Sequence, residues 1–252
     1  MNEARTPACG LWLDGGWYRF ARHKHSPNFG LRPPQAHVDL IVLHSISLPP
    51  GQYGGDEVQR LFSNTLDWDA HPYFQSIRGL QVSAHFYVRR DGELWQFVGA
   101  DDRAWHAGAS SWRGRDNCND DSIGIELEGL EGDVFEAAQY ETLSSLLPAL
   151  AQRYPIAHVA GHEHIAPGRK LDPGPGFDWP RLRAPLGSPR SFFPPQPPAR
   201  PIFSIPTGAP MHRRRAKANL SARAQHQQPC ALQTRIGLQP APLLGFEVKL
   251  KC

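Results

Sequence analysis

Residues 82–98 constrain the fold more than any other stretch. Two runs rich in β-branched and aromatic residues, 82–90 and 93–98, flank the pair Asp91-Gly92. Such runs joined by Asp-Gly predict a β-hairpin with a type I′ turn. Alternation sets Ala84, Phe86 and Val88 on one face, and Ser83, His85, Tyr87 and Arg89 on the other. Residues 38–44 hold four consecutive apolar residues, too few for a helix, and read as a buried strand that runs out at His44. A fourth strand is expected at 122–128, with Ile123, Ile125 and Leu127 opposite Glu126 and Glu128. A short one is expected at 158–160.

Helical spacing is clearest over 136–154, where Tyr140, Leu143, Leu147 and Leu150 recur on one side. Pro148 is expected to kink or shorten the last part of that helix. Shorter helices are expected at 55–63, and at 177–183 with Asp178 as cap and Pro180 in the first turn. In 1–37, Trp12, Trp17, Tyr18 and Phe20 stand among turn formers, which suggests a segment packed on the domain.

At 252 residues the chain is long enough for one buried core with an appendage. The net charge of +3 conceals an asymmetry. Residues 188–252 hold ten Lys/Arg against Glu247, a net +9, which leaves −6 for 1–187. The basic pI therefore describes the tail, and the mildly acidic body gives no reason to expect a nucleic-acid partner. That tail also carries eleven prolines and an Arg213-Arg214-Arg215 run, the composition of a disordered segment, with only 242–250 resembling a strand. The expected division is thus a folded domain over 1–187 and a Pro-rich basic tail over 188–252. Cys9, Cys118, Cys230 and Cys252 form no CxxC pair, so neither a zinc knuckle nor a disulfide framework is implied. Without a signal-peptide pattern or an apolar run of about 20 residues, a cytoplasmic protein that does not enter a membrane is expected.

The segment 161–175 carries the chemistry. It concentrates His162, His164, Arg169, Lys170 and Asp172 among three prolines and three glycines. Proline and glycine oppose a helix, so an irregular loop is expected, with His162 and His164 on one side of it. A lone histidine is usually a surface or hydrogen-bonded group, and there are twelve here. As a set, His44, His162 and Asp172 offer two imidazoles and a carboxylate on braced backbone. Three such ligands with a fourth position open are what a hydrolytic zinc requires. Spacing alone does not select these three, because no HExxH-type motif is present.

A wider pattern does select them. Leu43-His44-Ser45 with Pro49-Pro50, Ser83-Ala84-His85, Arg89-Arg90-Asp91-Gly92 and Ala104-Trp105-His106-Ala107-Gly108 occur in that order. Cys118-Asn119-Asp120, Ser122-Ile123-Gly124-Ile125-Glu126-Leu127-Glu128-Gly129 and the stretch from Gly161-His162 to Phe177-Asp178-Trp179 follow. Together these resemble the AmpD family, cytoplasmic 1,6-anhydro-N-acetylmuramoyl-L-alanine amidases of peptidoglycan recycling, over roughly residues 10–185.

The resemblance implies an α/β (α+β) fold, a central mixed β-sheet flanked by helices, shared with peptidoglycan recognition proteins. It implies one Zn2+ held by His44, His162 and Asp172, and it marks Glu126 and Lys170 as the catalytic pair. Glu126 would handle the proton of the attacking water, and Lys170 would donate to the developing oxyanion. Glu128 is the rival of Glu126, since alternation puts both on one face, and His164 is the rival of His162. His85 and His106 are expected to pack or hydrogen-bond near the cleft. Arg169 would pair with a peptide carboxylate and Trp105 would stack on the sugar. Ser45 and Asn117, where relatives often carry asparagine and arginine, are the expected points of substrate preference, along with Gln81. The expected partner is a muropeptide or peptidoglycan fragment, and a monomer is expected. The alternative is a non-catalytic peptidoglycan-binding module of the same fold. Retention of all three ligand types with Glu126 and Lys170 argues against it.

Overall fold

The computed structural model describes residues 10–186 and 192–193. The expectations for the tail beyond residue 193, including the strand at 242–250, lie outside the described residues.

Six strands build the central sheet: β1 (Arg22–His23), β2 (Leu40–Ile46), β3 (Phe86–Val88), β4 (Leu94–Gln96), β5 (Ser122–Glu128) and β6 (His158–Gly161). Their spatial order is β6-β2-β5-β3-β4-β1. The pairs β6/β2, β2/β5, β5/β3 and β4/β1 are parallel, and the β3/β4 hairpin is antiparallel. The helices are α1 (Glu57–Phe62), α2 (Pro72–Ser76), α3 (Ala137–Arg153), α4 (His162–Ile165) and α5 (Trp179–Leu186). This is the mixed sheet with flanking helices that the resemblance implies.

Strand β5 occupies the expected seven residues, and all seven are buried. Its neighbour β2 runs past His44 to Ile46, so His44 lies inside the strand. Both are covered on two faces, which is why they read as apolar runs. Alternation assigns the faces. Ile41, Leu43, Phe86, Val88, Ile123, Ile125, Leu127 and Val159 form one cluster with Leu143, Leu147 and Leu150 of α3 and Leu182 of α5. On the other face, Val42 and Ala160 join one apolar cluster, and Ile46 and Tyr87 join a second under α1 and α2. His44 falls between Val42 and Ile46 on that second face, where the apolar packing is divided.

Helix α3 docks through a reciprocal cap between Glu136 and Gln139, whose Nε2 also donates to the carbonyls of Val88 and Glu128 at 3.2 and 3.1 Å. It continues through Pro148 to Arg153. The buried stripe on both sides of that proline, Leu143 to Leu150, outweighs the cost expected to break the helix. Asp178 caps α5 as expected, accepting from the Arg181 N–H at 2.9 Å. The N-terminal aromatics pack on the domain: Tyr18 is buried, and Trp12 lies 5.0 Å from its ring. Phe193 is also buried, against Trp179 and under the Arg183 guanidinium.

Three local expectations are corrected. The hairpin turn is not type I′, which needs positive φ at both central residues; of the pair Asp91-Gly92 only Gly92 has one, at 87°. The carbonyl of Arg89 accepts from the Gly92 N–H, and the Arg89 N–H donates to Glu93, giving a three-residue loop with glycine at the left-handed position. Ala84 packs with Tyr87, not with Phe86, because the strand begins only at Phe86. The segment after Gly161 is not wholly irregular, since α4 is a helical turn of four residues that ends just before Ala166-Pro167.

Candidate metal centre and cleft

His44 comes from the middle of β2, His162 from the first position of α4, directly after β6, and Asp172 from the loop that returns beneath it. The chain bends there through the Glu163 N–H, which donates to the Asp172 carbonyl at 2.9 Å. The Nδ1 atoms of His44 and His162 lie 2.9 Å apart, and each is 3.2 Å from Asp172 Oδ2. All three residues are buried.

Hydrogen bonds fix what these atoms present. His162 Nε2 faces the Ala107 carbonyl at 3.1 Å, so Nε2 carries a proton and Nδ1 is the atom turned toward Asp172 and His44. His44 Nε2 faces His106 Nδ1 at 3.0 Å. Burial, first of all, and then the neighbouring His162 lower the His44 pKa to about 4. Burial alone would raise the Asp172 carboxyl, but its contacts with His162 and His44 outweigh this and hold it ionised. Two imidazole Nδ1 atoms and a carboxylate oxygen therefore converge on one point, an arrangement that suits positive charge at its centre. Tetrahedral N and O ligands about 2.0 Å from zinc lie roughly 3.3 Å apart, close to the observed triangle. The donor set fits that metal.

Beside the triangle opens a cavity of about 330 Å³ whose lining includes Glu126, Lys170, Trp105, Arg169, His106 and Asn119. Glu126 is Cα partner to His44 across β5/β2, so both side chains leave by one face. It is buried, and its Oε2 has no hydrogen-bond partner among the described residues. Burial pushes its pKa well above the usual carboxylate range, Asp172 adds to this, and Lys170 opposes it. The rival Glu128 is engaged structurally, accepting from the N–H groups of Gly54 and Arg90 at 2.5 and 3.0 Å.

His164 turns away. In a helical turn, residues two apart do not share a side, which corrects the placement expected from extended backbone. Its Nδ1 accepts from the Gly161 N–H at 2.9 Å, and its ring lies edge-on to Trp179. His85 accepts from the Gly124 N–H at 3.0 Å and donates to the Asp102 carbonyl at 3.1 Å, so it holds strands rather than metal.

Of the expected substrate contacts, Trp105, Arg169 and Gln81 line the cavity. The Arg169 guanidinium also donates to the carbonyls of Ala107 and Ala109, bracing the loop that carries them. Asn117 lies in an adjoining groove with Arg169, its side chain bonded to Asp120 and Arg103. Ser45 is not brought to the cavity: it follows His44 on the strand and leaves by the opposite face, buried beside Leu127 of β5. Asn119 was not singled out from the sequence. Its Oδ1 accepts from the N–H groups of His106 and Ala107, and it lines the cavity along with Glu126. Only its place in the Cys118-Asn119-Asp120 motif hinted at a role.

The family model for N-acetylmuramoyl-L-alanine amidase (Amidase_2) matches residues 34–175. The 1,6-anhydro-N-acetylmuramyl-L-alanine amidase AmpD of Citrobacter freundii is 52% identical over 176 residues, 69% of this chain and 94% of that protein. AmpD of Escherichia coli K12 is 50% identical over 175 residues, 69% of this chain and 96% of that protein. A crystal structure of a selenomethionine AmpD derivative superposes with a TM-score of 0.67 at 53% identity, covering 69% of this chain and 98% of that one. The described residues contain no helix long and apolar enough to cross a membrane. The chain belongs to the AmpD family of N-acetylmuramoyl-L-alanine amidases.

Proposed function

We propose that the protein is a zinc hydrolase that cleaves the amide between N-acetylmuramic acid, in its 1,6-anhydro form, and L-alanine of the stem peptide. The observation that carries this reading is the convergence of the His44, His162 and Asp172 donor atoms beside the unpartnered carboxylate oxygen of Glu126. Amidases named for the same bond share about half of their residues with this chain.

His44, His162 and Asp172 would hold the metal. Zinc, when bound, polarises a carbonyl and acidifies water. The remaining work falls to the chain's own side chains. Glu126 takes a proton from the attacking water and passes it to the departing amine. Burial strengthens it as a base, and Lys170 works against that shift. Lys170 donates to the amide oxygen as charge develops there. Trp105 offers a face for the sugar. Arg169 has donors beyond those given to Ala107 and Ala109, and these suit a peptide carboxylate. Asn117 marks the groove along which the peptide continues. A muropeptide of this kind is a small soluble fragment, and we place its hydrolysis in the cytoplasm as a recycling step.

Incubation with anhydro-muropeptide and with intact peptidoglycan, read by mass spectrometry, tests the proposal. Free L-alanyl peptide and anhydro-sugar are expected from the first substrate in clear preference to the second. Binding of the muropeptide without release of peptide would favour the non-catalytic module instead.

A further inference from the structure

We propose that His106 and Ser122 form a positioning relay that fixes the tautomer of His44, so that its Nδ1 always presents a lone pair to the metal. The inference rests on the zinc reading above, but its logic starts from backbone. The Ser122 hydroxyl has one proton, and it donates to the Cys118 carbonyl four residues earlier, a group that can only accept. The hydroxyl oxygen is then an acceptor for His106 Nε2, 3.2 Å away, so that nitrogen carries the proton of the neutral ring. His106 Nδ1 is left with its lone pair, and it faces His44 Nε2 at 3.0 Å. His44 must therefore hold its proton on Nε2. The order of donors runs from His44 through His106 and Ser122 to Cys118 without a free choice at any link.

A second observation shows that the His106 ring is built into this place. It lies flat against Gly124 of β5: a Cβ at that position would fall 2.4 Å from the ring Cγ and 2.6 Å from Nδ1. Glycine in the middle of a buried strand weakens it, and here the space it leaves is filled by the imidazole. Asn119 holds the other side of the residue by accepting from the His106 N–H at 3.0 Å. The His162 ring is oriented by a shorter route, its Nε2–H against the Ala107 carbonyl. Both imidazole ligands are thus oriented by groups on one segment, 106–107. Partners that orient a ligand in this way set metal affinity as well as geometry.

The test uses the full chain with His106→Leu, which removes the acceptor, His106→Gln, whose amide oxygen can replace it, and Ser122→Ala. Competition with a zinc chelator is expected to show affinity lowered about 10- to 100-fold in His106→Leu and largely restored in His106→Gln. In the metal-free protein, 15N NMR of the imidazoles is expected to show His44 purely as the Nε2–H tautomer in the wild type, and as a mixture in His106→Leu and Ser122→Ala. If His106→Leu does not fold, Ser122→Ala with the same two readings decides the matter. Unchanged zinc affinity together with an unchanged His44 tautomer in the variants would overturn the relay, as would a wild-type His44 protonated on Nδ1. A wild-type protein that takes up no zinc would overturn the metal reading, while the tautomer of metal-free His44 would still judge the relay.

Discussion

Glu126 and His44 stand side by side on neighbouring parallel strands, Cα partners whose side chains leave the sheet by the same buried face. This one register places a proton carrier next to a metal ligand without any loop having to position either. Substituting Glu126→Gln should keep the shape and the zinc and reduce kcat by about 10²–10⁴, the usual range for a lost acid–base group. Metal content and kcat measured on the same sample check it.

The same carboxylate sets a pH dependence of opposite sign in activity and in stability. Burial raises its pKa above the ordinary value of 4.5. Activity needs the ionised form, so the acid limb of the kcat profile should fall as pH drops through the raised value, and should vanish in Glu126→Gln. In metal-free protein, a raised folded pKa gives stability that is full below the ordinary value and lost as pH rises through the folded one. Chelated Glu126→Gln is therefore expected to melt above the chelated wild type at pH 8 and nearer to it at pH 5.

Lys170 is buried at the cavity wall. Its replacement by methionine should leave zinc bound and KM little changed while lowering kcat by about 10²–10³, the loss typical of one oxyanion donor. A larger effect on KM than on kcat would point instead to ground-state binding.

On the other face of the sheet, Leu143 is fully enclosed between α3 and the strands. Leu143→Ala should cost about 2–5 kcal/mol in denaturant unfolding, with kcat per folded molecule unchanged. Gly124→Ala, which forces a methyl into the His106 ring, should cost about 1–3 kcal/mol by overpacking.

Ending the chain after Gly187 should preserve hydrolysis, as expected for a domain spanning 1–187. It should also lower stability by about 1.5–3 kcal/mol, because Phe193 is buried against Trp179. Thermal melts and the amidase assay on the truncated chain decide both points.

The sheet was legible in the sequence wherever periodicity is strict: strand 122–128 was read to the residue, because Ile123, Ile125 and Leu127 alternate with groups of a different kind. The three metal-facing residues were legible only through family resemblance, since they come from β2, α4 and a loop, and nothing local ties them together. Misreadings followed from backbone details that composition hides. A four-residue helical turn fits between Gly161 and Pro167, and that turn separates His162 from His164. The Gly92 turn takes a bulged form that Asp-Gly also permits. Ser45 was marked as a point of substrate preference because relatives often carry asparagine there, although one step along the strand from His44 reverses the face. The link from His44 through His106 to Ser122 crosses two strands and a loop, and depends on hydrogen-bond direction that no spacing records.

The most direct measurement is zinc content per chain, taken with release of L-alanyl peptide from anhydro-muropeptide, for the wild type, His162→Ala and Asp172→Ala. Stoichiometric zinc and hydrolysis are predicted in the wild type, with both lost in each variant. Variants that keep their zinc and hydrolyse at the wild-type rate would contradict the assignment of this triangle as the catalytic metal centre.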